Sequence, residues 1–272
     1  MKKILTLLSA IGCTVAGLSA QAPSDYECLY EYSVRYGNGE EETVPVLLRI
    51  GASDACFQDY AVFRADSAAA VPGIAEETLM EYREQVRRSV LSFDTTVRQN
   101  DPKGKMTVLG VIPPDYYVYE EPMDGIRWEL LPEEATVCGY VCRKASGTYG
   151  GRTWTVWYAP EIPVRFGPWK LCGLPGLVMA AEDADGIHRF SAVQFRKGTS
   201  GAAFPTVPDA IRTTRAKFLK AKNNFEENPM ENLQLEAVSS ITIMKGEGNG
   251  TILVNDVPLR MHAHGYIPLE LE

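Results

Sequence analysis

The chain has 272 residues, 45% of them hydrophobic, and 27 Lys and Arg stand against 35 Asp and Glu for a net charge of −8. No basic stripe interleaved with aromatics is present, which argues against a nucleic-acid partner. With only three histidines, there is little material for imidazole-based metal or general-base chemistry.

The N-terminus carries Lys2 and Lys3, then an apolar run from Ile4 to Ile11 that extends through Cys13 to Leu18, then the small residues of "GLSAQA". This pattern predicts a secretory signal peptide. Ala20-Gln21-Ala22 fits an A-x-A site, but Pro23 would follow that cut, so cleavage is placed after Ala20. Residues 1–20 are then the leader and 21–272 one β-rich domain. A rival reading makes "AIGC" a lipoprotein signal anchored through Cys13, although the apolar run before it is short. No other segment reaches the roughly 18 apolar residues a spanning helix needs. Losing Lys2 and Lys3 takes Lys and Arg from 27 to 25 against 35 acids, a net charge near −10. The exported protein is expected in the periplasm, at the outer membrane or outside the cell.

Period-two alternation dominates the rest of the chain. In "YECLYEYSVRY", Tyr26, Cys28, Tyr30, Tyr32, Val34 and Tyr36 share one face. "GNGEE" turns the chain and "TVPVLLRI" returns it. "EETLMEYREQVRRSVLSF" spaces Leu79, Tyr82, Val86 and Val90 by three and four, which predicts a helix over 76–93. Further strands are predicted at "KMTVLGVI", "YYVYEE", "IRWELL", "ATVCGYVCRKA", "RTWTVWYA", "LVMAA", "HRFSAVQF" and "SSITIM". Asp185-Gly186 predicts a hairpin with Glu182 opposite Arg189. "TTRAKFLKAKNNFEENP" predicts a second helix over 213–227, opened by capping threonines and ended before Pro229. Its Arg215, Lys217, Lys220 and Lys222 read as a solvated face. The fold class is mainly β (α+β): one strongly curved antiparallel sheet or half-barrel with about two packed helices.

The stretch "GPWKLCGLPGL", Gly167 to Leu177, interrupts this alternation. Gly167-Pro168 breaks the ladder, because proline cannot donate to it. Pro175-Gly176 suits a type II turn with positive φ at Gly176, flanked by buried Leu174 and Leu177. A structural corner is predicted, with no catalytic part.

With its surroundings, "GYVCRKASGTYGGRTWTVWYAPEIPVRFGPWKLCGLPGLVM" resembles the signature block of the GLPGLI family, exported proteins of Bacteroidetes. The motif is matched by Gly173 to Val178, with Val178 where the name has Ile. "LLRIGASDACFQDYAVFRADSA" is similar to the family's early segment. "YIPLELE" resembles its Asn-Pro-Ile-Glu ending, with Ile267 where Asn is common. The resemblance implies a mostly β fold and an envelope role near TonB-dependent outer-membrane receptors. It supplies no catalytic residues. It also sorts the cysteines, since Cys142 fits the family pattern while Cys28, Cys56, Cys138 and Cys172 depart from it. That implies the pairs Cys28–Cys56 and Cys138–Cys172, with Cys142 reduced.

Candidate chemistry is sparse. His262 and His264, two apart on a strand, can share a metal, but a pair of exposed strand residues explains them as well. His188 reads as structural and "EDADG" as a turn. No G-x-S-x-G, P-loop, H-E-x-x-H or dinucleotide motif occurs, and no cofactor is implied. Aromatics gather in the middle third, among them Trp128, Trp154, Trp157 and Trp169, and suit either a core or a ligand-facing concavity. The first functional reading is a non-catalytic protein binding an apolar ligand, a peptide or a receptor partner. The alternative is a hydrolase or metal-dependent enzyme whose site is assembled from distant residues.

Overall fold

The computed structural model describes residues 25–88, 93–198, 207, 209–233, 236, 238–244, 251–255, 257–259 and 265–272. The predicted leader, Cys13, His262 and His264 lie outside these residues. The elements in chain order are β1 (Tyr26–Arg35), β2 (Glu41–Ile50), β3 (Ala55–Asp59), α1 (Tyr60–Ala69), α2 (Glu76–Arg88), β4 (Thr96–Gln99), β5 (Lys105–Ile112) and β6 (Asp115–Pro122). Then come β7 (Glu129–Val137), β8 (Tyr140–Tyr149), β9 (Arg152–Ala159), β10 (Leu177–Asp183), β11 (His188–Lys197), β12 (Ile211–Arg212), α3 (Arg215–Glu227) and α4 (Pro229–Asn232). The last are β13 (Ile241–Met244), β14 (Thr251–Val254) and β15 (Val257–Leu259).

The protein is mainly β. Twelve strands form one sheet in the order β12-β6-β5-β4-β3-β2-β1-β11-β10-β9-β8-β7. All its pairings are antiparallel except that of the two-residue β12 with β6. The sheet is not closed by strand pairing, yet its ends meet. The Tyr149 hydroxyl at the end of β8 donates to Glu121 Oε2 on β6 at 2.8 Å. Those strands are second and eleventh in the order, which in a flat sheet separates them by roughly 43 Å at about 4.8 Å per strand. The sheet is therefore curled into a deep trough.

The alternation of β1 fixes which face looks inward. Cys28, Tyr30, Tyr32, Val34 and Tyr36 are buried, whereas Tyr26 at the strand's start is exposed. Across the trough the same core takes Phe57, Val97, Val108, Tyr119, Trp154, Val156 and Phe190. The predicted hairpin register holds, with Glu182 opposite Arg189, but Arg189 pairs with Glu41 at 2.6 Å.

Two differences from the sequence reading stand out. The described residues contain four helices rather than two, and a separate three-stranded sheet, β13-β14-β15. Val254 and Leu259 of that sheet join the main core. Helix α1 is set by Asp59, whose Oδ1 accepts from the Ala61 and Val62 amides at 2.8 and 3.1 Å. The other oxygen of Asp59 takes the Phe93 amide at 3.1 Å. This N-cap satisfies donors that the first turn leaves open. Helix α1 lies on the outer face, where Arg49 sits 5.0 Å from the Phe63 ring. Helix α3 packs on the inner face, with the Phe218 ring seated over Gly110, where any Cβ would overlap it.

Candidate functional site

The inner face of the trough is filled by the chain's own connection between β9 and β10, residues 160–176. Gln99, fully buried at the end of β4, holds it. Its Nε2 donates to the Gly167 and Trp169 carbonyls, both at 2.7 Å, and its Oε1 accepts from the Gly167 amide at 3.3 Å. The loop also bonds to the start of β10, Val178 N to Phe166 O at 3.1 Å, and to itself, Gly173 N to Arg165 O at 2.9 Å. Trp169, Leu171, Cys172, Leu174 and Leu177 are buried, as are Gly167 and Pro168, while Pro175 faces solvent.

The predicted corner is present, but its glycines act differently. Gly176 does not adopt positive φ. A Cβ there would overlap the Ala159 carbonyl, so close backbone approach, not a type II turn, demands glycine. The left-handed half of the map is used by Gly173, at φ 102°, and by Trp169, at φ 52°.

Trp169 delivers the next residue, Lys170, into the interior. Its Nζ lies 2.5 Å from Glu270, 2.7 Å from Glu121 and 3.0 Å from the Tyr119 hydroxyl. The ammonium also sits 5.2, 5.5 and 5.8 Å from the ring centroids of Tyr119, Trp169 and Tyr149. Burial alone would pull the Lys170 pKa down, but Glu270, Tyr119, Tyr149 and Glu121 hold it well above the usual lysine value. Arg215 closes the cluster, 2.7 Å from Glu270 and 3.5 Å from Glu121.

The C-terminal segment is strapped across the trough. Arg152 donates to the Pro268 and Leu269 carbonyls at 2.6 and 3.2 Å, and pairs with Asp183 at 2.7 Å. His188, also buried, reaches the Tyr32 hydroxyl at 2.9 Å and the Pro268 carbonyl at 3.3 Å. Burial, aided by the Arg152 charge, lowers its pKa to about 4. His188 is thus a neutral structural group, as the sequence predicted.

Between the strap, α3 and the inner face lies a cavity of about 110 Å³. Tyr32, Phe93, Tyr119, Trp169, Phe218 and Tyr266 supply rings to its wall, and Asp94, Lys222 and Glu270 supply charges. Lys222 Nζ is held by Asp94 at 2.5 Å, Glu226 at 2.8 Å and the Val111 carbonyl at 3.5 Å. Arg215 and Lys222 therefore turn inward, and only Lys217 and Lys220 form the solvated face predicted for all four.

Of the four tryptophans, Trp169 alone lines this cavity. Trp154 is core. Trp157 lies on the outer face, with the Lys144 ammonium 5.8 Å from its ring. Trp128 donates to the Cys172 carbonyl at 2.8 Å and covers the loop. Among the described residues no three His, Cys, Asp or Glu side chains are placed to share a metal.

The predicted disulfides are absent, since all five described cysteines carry free thiols. Cys28 shares a row and a face with Leu48 and Phe57, whereas Cys56 lies opposite Arg49 on the other face. Two strand spacings, roughly 9–10 Å, and opposite faces rule out a bridge, whose Cα atoms must lie within about 7 Å. Cys138 stands at the β7–β8 turn with φ 50°, while the Cys172 thiol points to the Met123 carbonyl, 3.7 Å away. Burial pushes the thiols of Cys28 and Cys172 up to about 12 and that of Cys142 to about 11, far from nucleophilic range.

No family model and no curated protein sequence matches the chain. Solved structures do resemble it. PNGF-II aligns with a TM-score of 0.50 at 13% identity over 73% of this chain, which spans about a third (33%) of PNGF-II. An uncharacterised conserved protein from Thermus thermophilus aligns at 0.31 and 12% identity, covering 69% of this chain and 90% of that one. A LolA superfamily protein from Nitrosomonas europaea aligns at 0.22 and 7%, covering 71% and 77%. At such identity the likeness to PNGF-II is one of fold alone, over about a third of that longer chain.

Proposed function

We propose that this is an exported envelope protein of GLPGLI type that binds a ligand without transforming it, working as an accessory to an outer-membrane receptor system. The observation that carries the reading is the cavity itself. Its wall is mostly aromatic and apolar, and its charged groups are engaged with one another, an arrangement suited to holding a ligand rather than to moving protons. The buried thiols and the neutral His188 supply no activated nucleophile or base. The leader predicted at residues 1–20 supports export. No described helix is long and apolar enough to cross a membrane.

The test is purification from the native envelope followed by native mass spectrometry. A small molecule should accompany the wild-type protein and be absent from Leu219→Trp, which fills the cavity wall, while both proteins give the same far-ultraviolet dichroism spectrum. Turnover of a ligand recovered in this way would overturn the non-catalytic reading.

A further inference from the structure

Resting on the binding reading above, we propose that the cavity receives the compact head of an organic cation, an alkylammonium group. Three observations converge on that class. The first is size. At about 110 Å³ the cavity is smaller than the roughly 150 Å³ site that takes benzene, so it admits about four or five heavy atoms. A tetramethylammonium ion has five.

The second is the wall. Ring faces attract cations through their quadrupole, and more strongly once water is removed. Two rings of this wall already do so, because Tyr119 and Trp169 flank the Lys170 ammonium at 5.2 and 5.5 Å. A cation in the cavity would meet the same kind of surface, widened by Tyr32, Phe93, Phe218 and Tyr266.

The third is charge. Lys222 spends its three donors on Asp94, Glu226 and the Val111 carbonyl, and Lys170 donates to Glu270 and the Tyr119 hydroxyl with Glu121 Oε1 2.7 Å away as its third neighbour. An ammonium has three donors, so Lys222, the lysine on the cavity wall, has none left for an anionic ligand, and Lys170 already sits between two carboxylates. Around the cavity the carboxylates of Asp94, Glu121, Glu226 and Glu270 face Lys170, Lys222 and Arg215, which leaves one negative charge in excess. The Arg152–Asp183 pair beside them is neutral overall. Asp94 keeps about a third of its side chain exposed, placing that excess where an entering cation meets it.

The experiment is a calorimetric titration of the whole protein with tetramethylammonium chloride and with tert-butanol, a neutral probe of the same heavy-atom count, at matched ionic strength. Tetramethylammonium should bind at least tenfold more tightly and change the emission of Trp169, a change lost in Trp169→Phe. Glu226→Gln, which removes the excess charge without opening the wall, should weaken the cation about tenfold and leave tert-butanol unchanged. Leu219→Trp should abolish both. Equal or tighter binding of tert-butanol would overturn the cation proposal and leave the binding cavity standing. Failure of both probes at high millimolar concentration would overturn the two together. Choline in solution and phosphatidylcholine vesicles then separate the sources of such a head. Binding of choline alone indicates a free solute and flotation with vesicles a lipid headgroup, and either result supports the cation class.

Discussion

Gly176 shows how a residue type can be legible while its reason is not. A glycine beside a proline between strand-like segments signals a turn, and a turn suggests positive φ. The position instead needs an empty Cβ, because the Ala159 carbonyl occupies that space, and no local pattern encodes which backbone passes there. Gly176→Ala should therefore destabilise the protein by about 1–3 kcal/mol through overpacking, and Leu177→Ala, fully buried, by about 2–5 kcal/mol. Urea unfolding measures both, and a Gly176→Ala variant as stable as wild type would contradict the steric account. His188 carries a pH signature. Its folded pKa is about 4 against an ordinary 6.5, so the unfolded chain takes up a proton between those values and the folded one does not. Stability should be unaffected by this group above pH 6.5. It should decline as pH falls toward 4, by about 3 kcal/mol in total. In His188→Gln that part of the acid decline should disappear from a stability–pH profile.

At the scale of elements, α3 and the Trp169–Lys170 step were half legible. The sequence pattern marked the helix by its capping threonines and by Pro229, and of those threonines Thr214 is the cap, its Oγ1 accepting from the Lys217 amide at 3.4 Å. It could not tell that Arg215 and Lys222 would meet carboxylates, because Asp94, Glu121 and Glu270 come from three distant parts of the chain. Gln99 was invisible for the same reason, being a polar residue in a strand until the loop it holds is known. The C-terminal segment has no periodicity of its own and is fixed wholly by groups on other elements. The buried cluster makes a firm prediction. Lys170→Met should cost about 3–5 kcal/mol, since it strands carboxylates already removed from water. Adding Glu121→Gln should recover part of that loss, because the two residues are coupled. If the double variant is less stable than Lys170→Met in urea unfolding, unpaired charge is not what the single variant suffers from.

For the whole molecule, alternation and turn signals made the curled antiparallel sheet readable, while the order of its strands was not, since pairing at long range leaves no local mark. That order places β1 in the middle, between β2 and β11. The sheet is two meanders, β1–β6 and β7–β11, joined along one seam where Tyr30 faces Ala192. The tie from Tyr149 to Glu121 and the buried cluster link their far ends, so neither half should unfold alone. All four tryptophans lie between residues 128 and 169 and report on the second half, whereas far-ultraviolet dichroism reports on both. The two urea curves should coincide, and a fluorescence transition displaced from the dichroism would disprove the coupling. The seam also bears on how the chain reaches its native state. Until residues some 160 positions apart meet, β1 and β11 each present a ten-residue unpaired edge with an apolar face. Such edges pair as readily with another molecule as with their own partner. Refolding yield after dilution from urea should accordingly fall as protein concentration rises, with light scattering appearing as native fluorescence is lost. A yield independent of concentration through the micromolar range would mean that the seam closes before the edges can find one another.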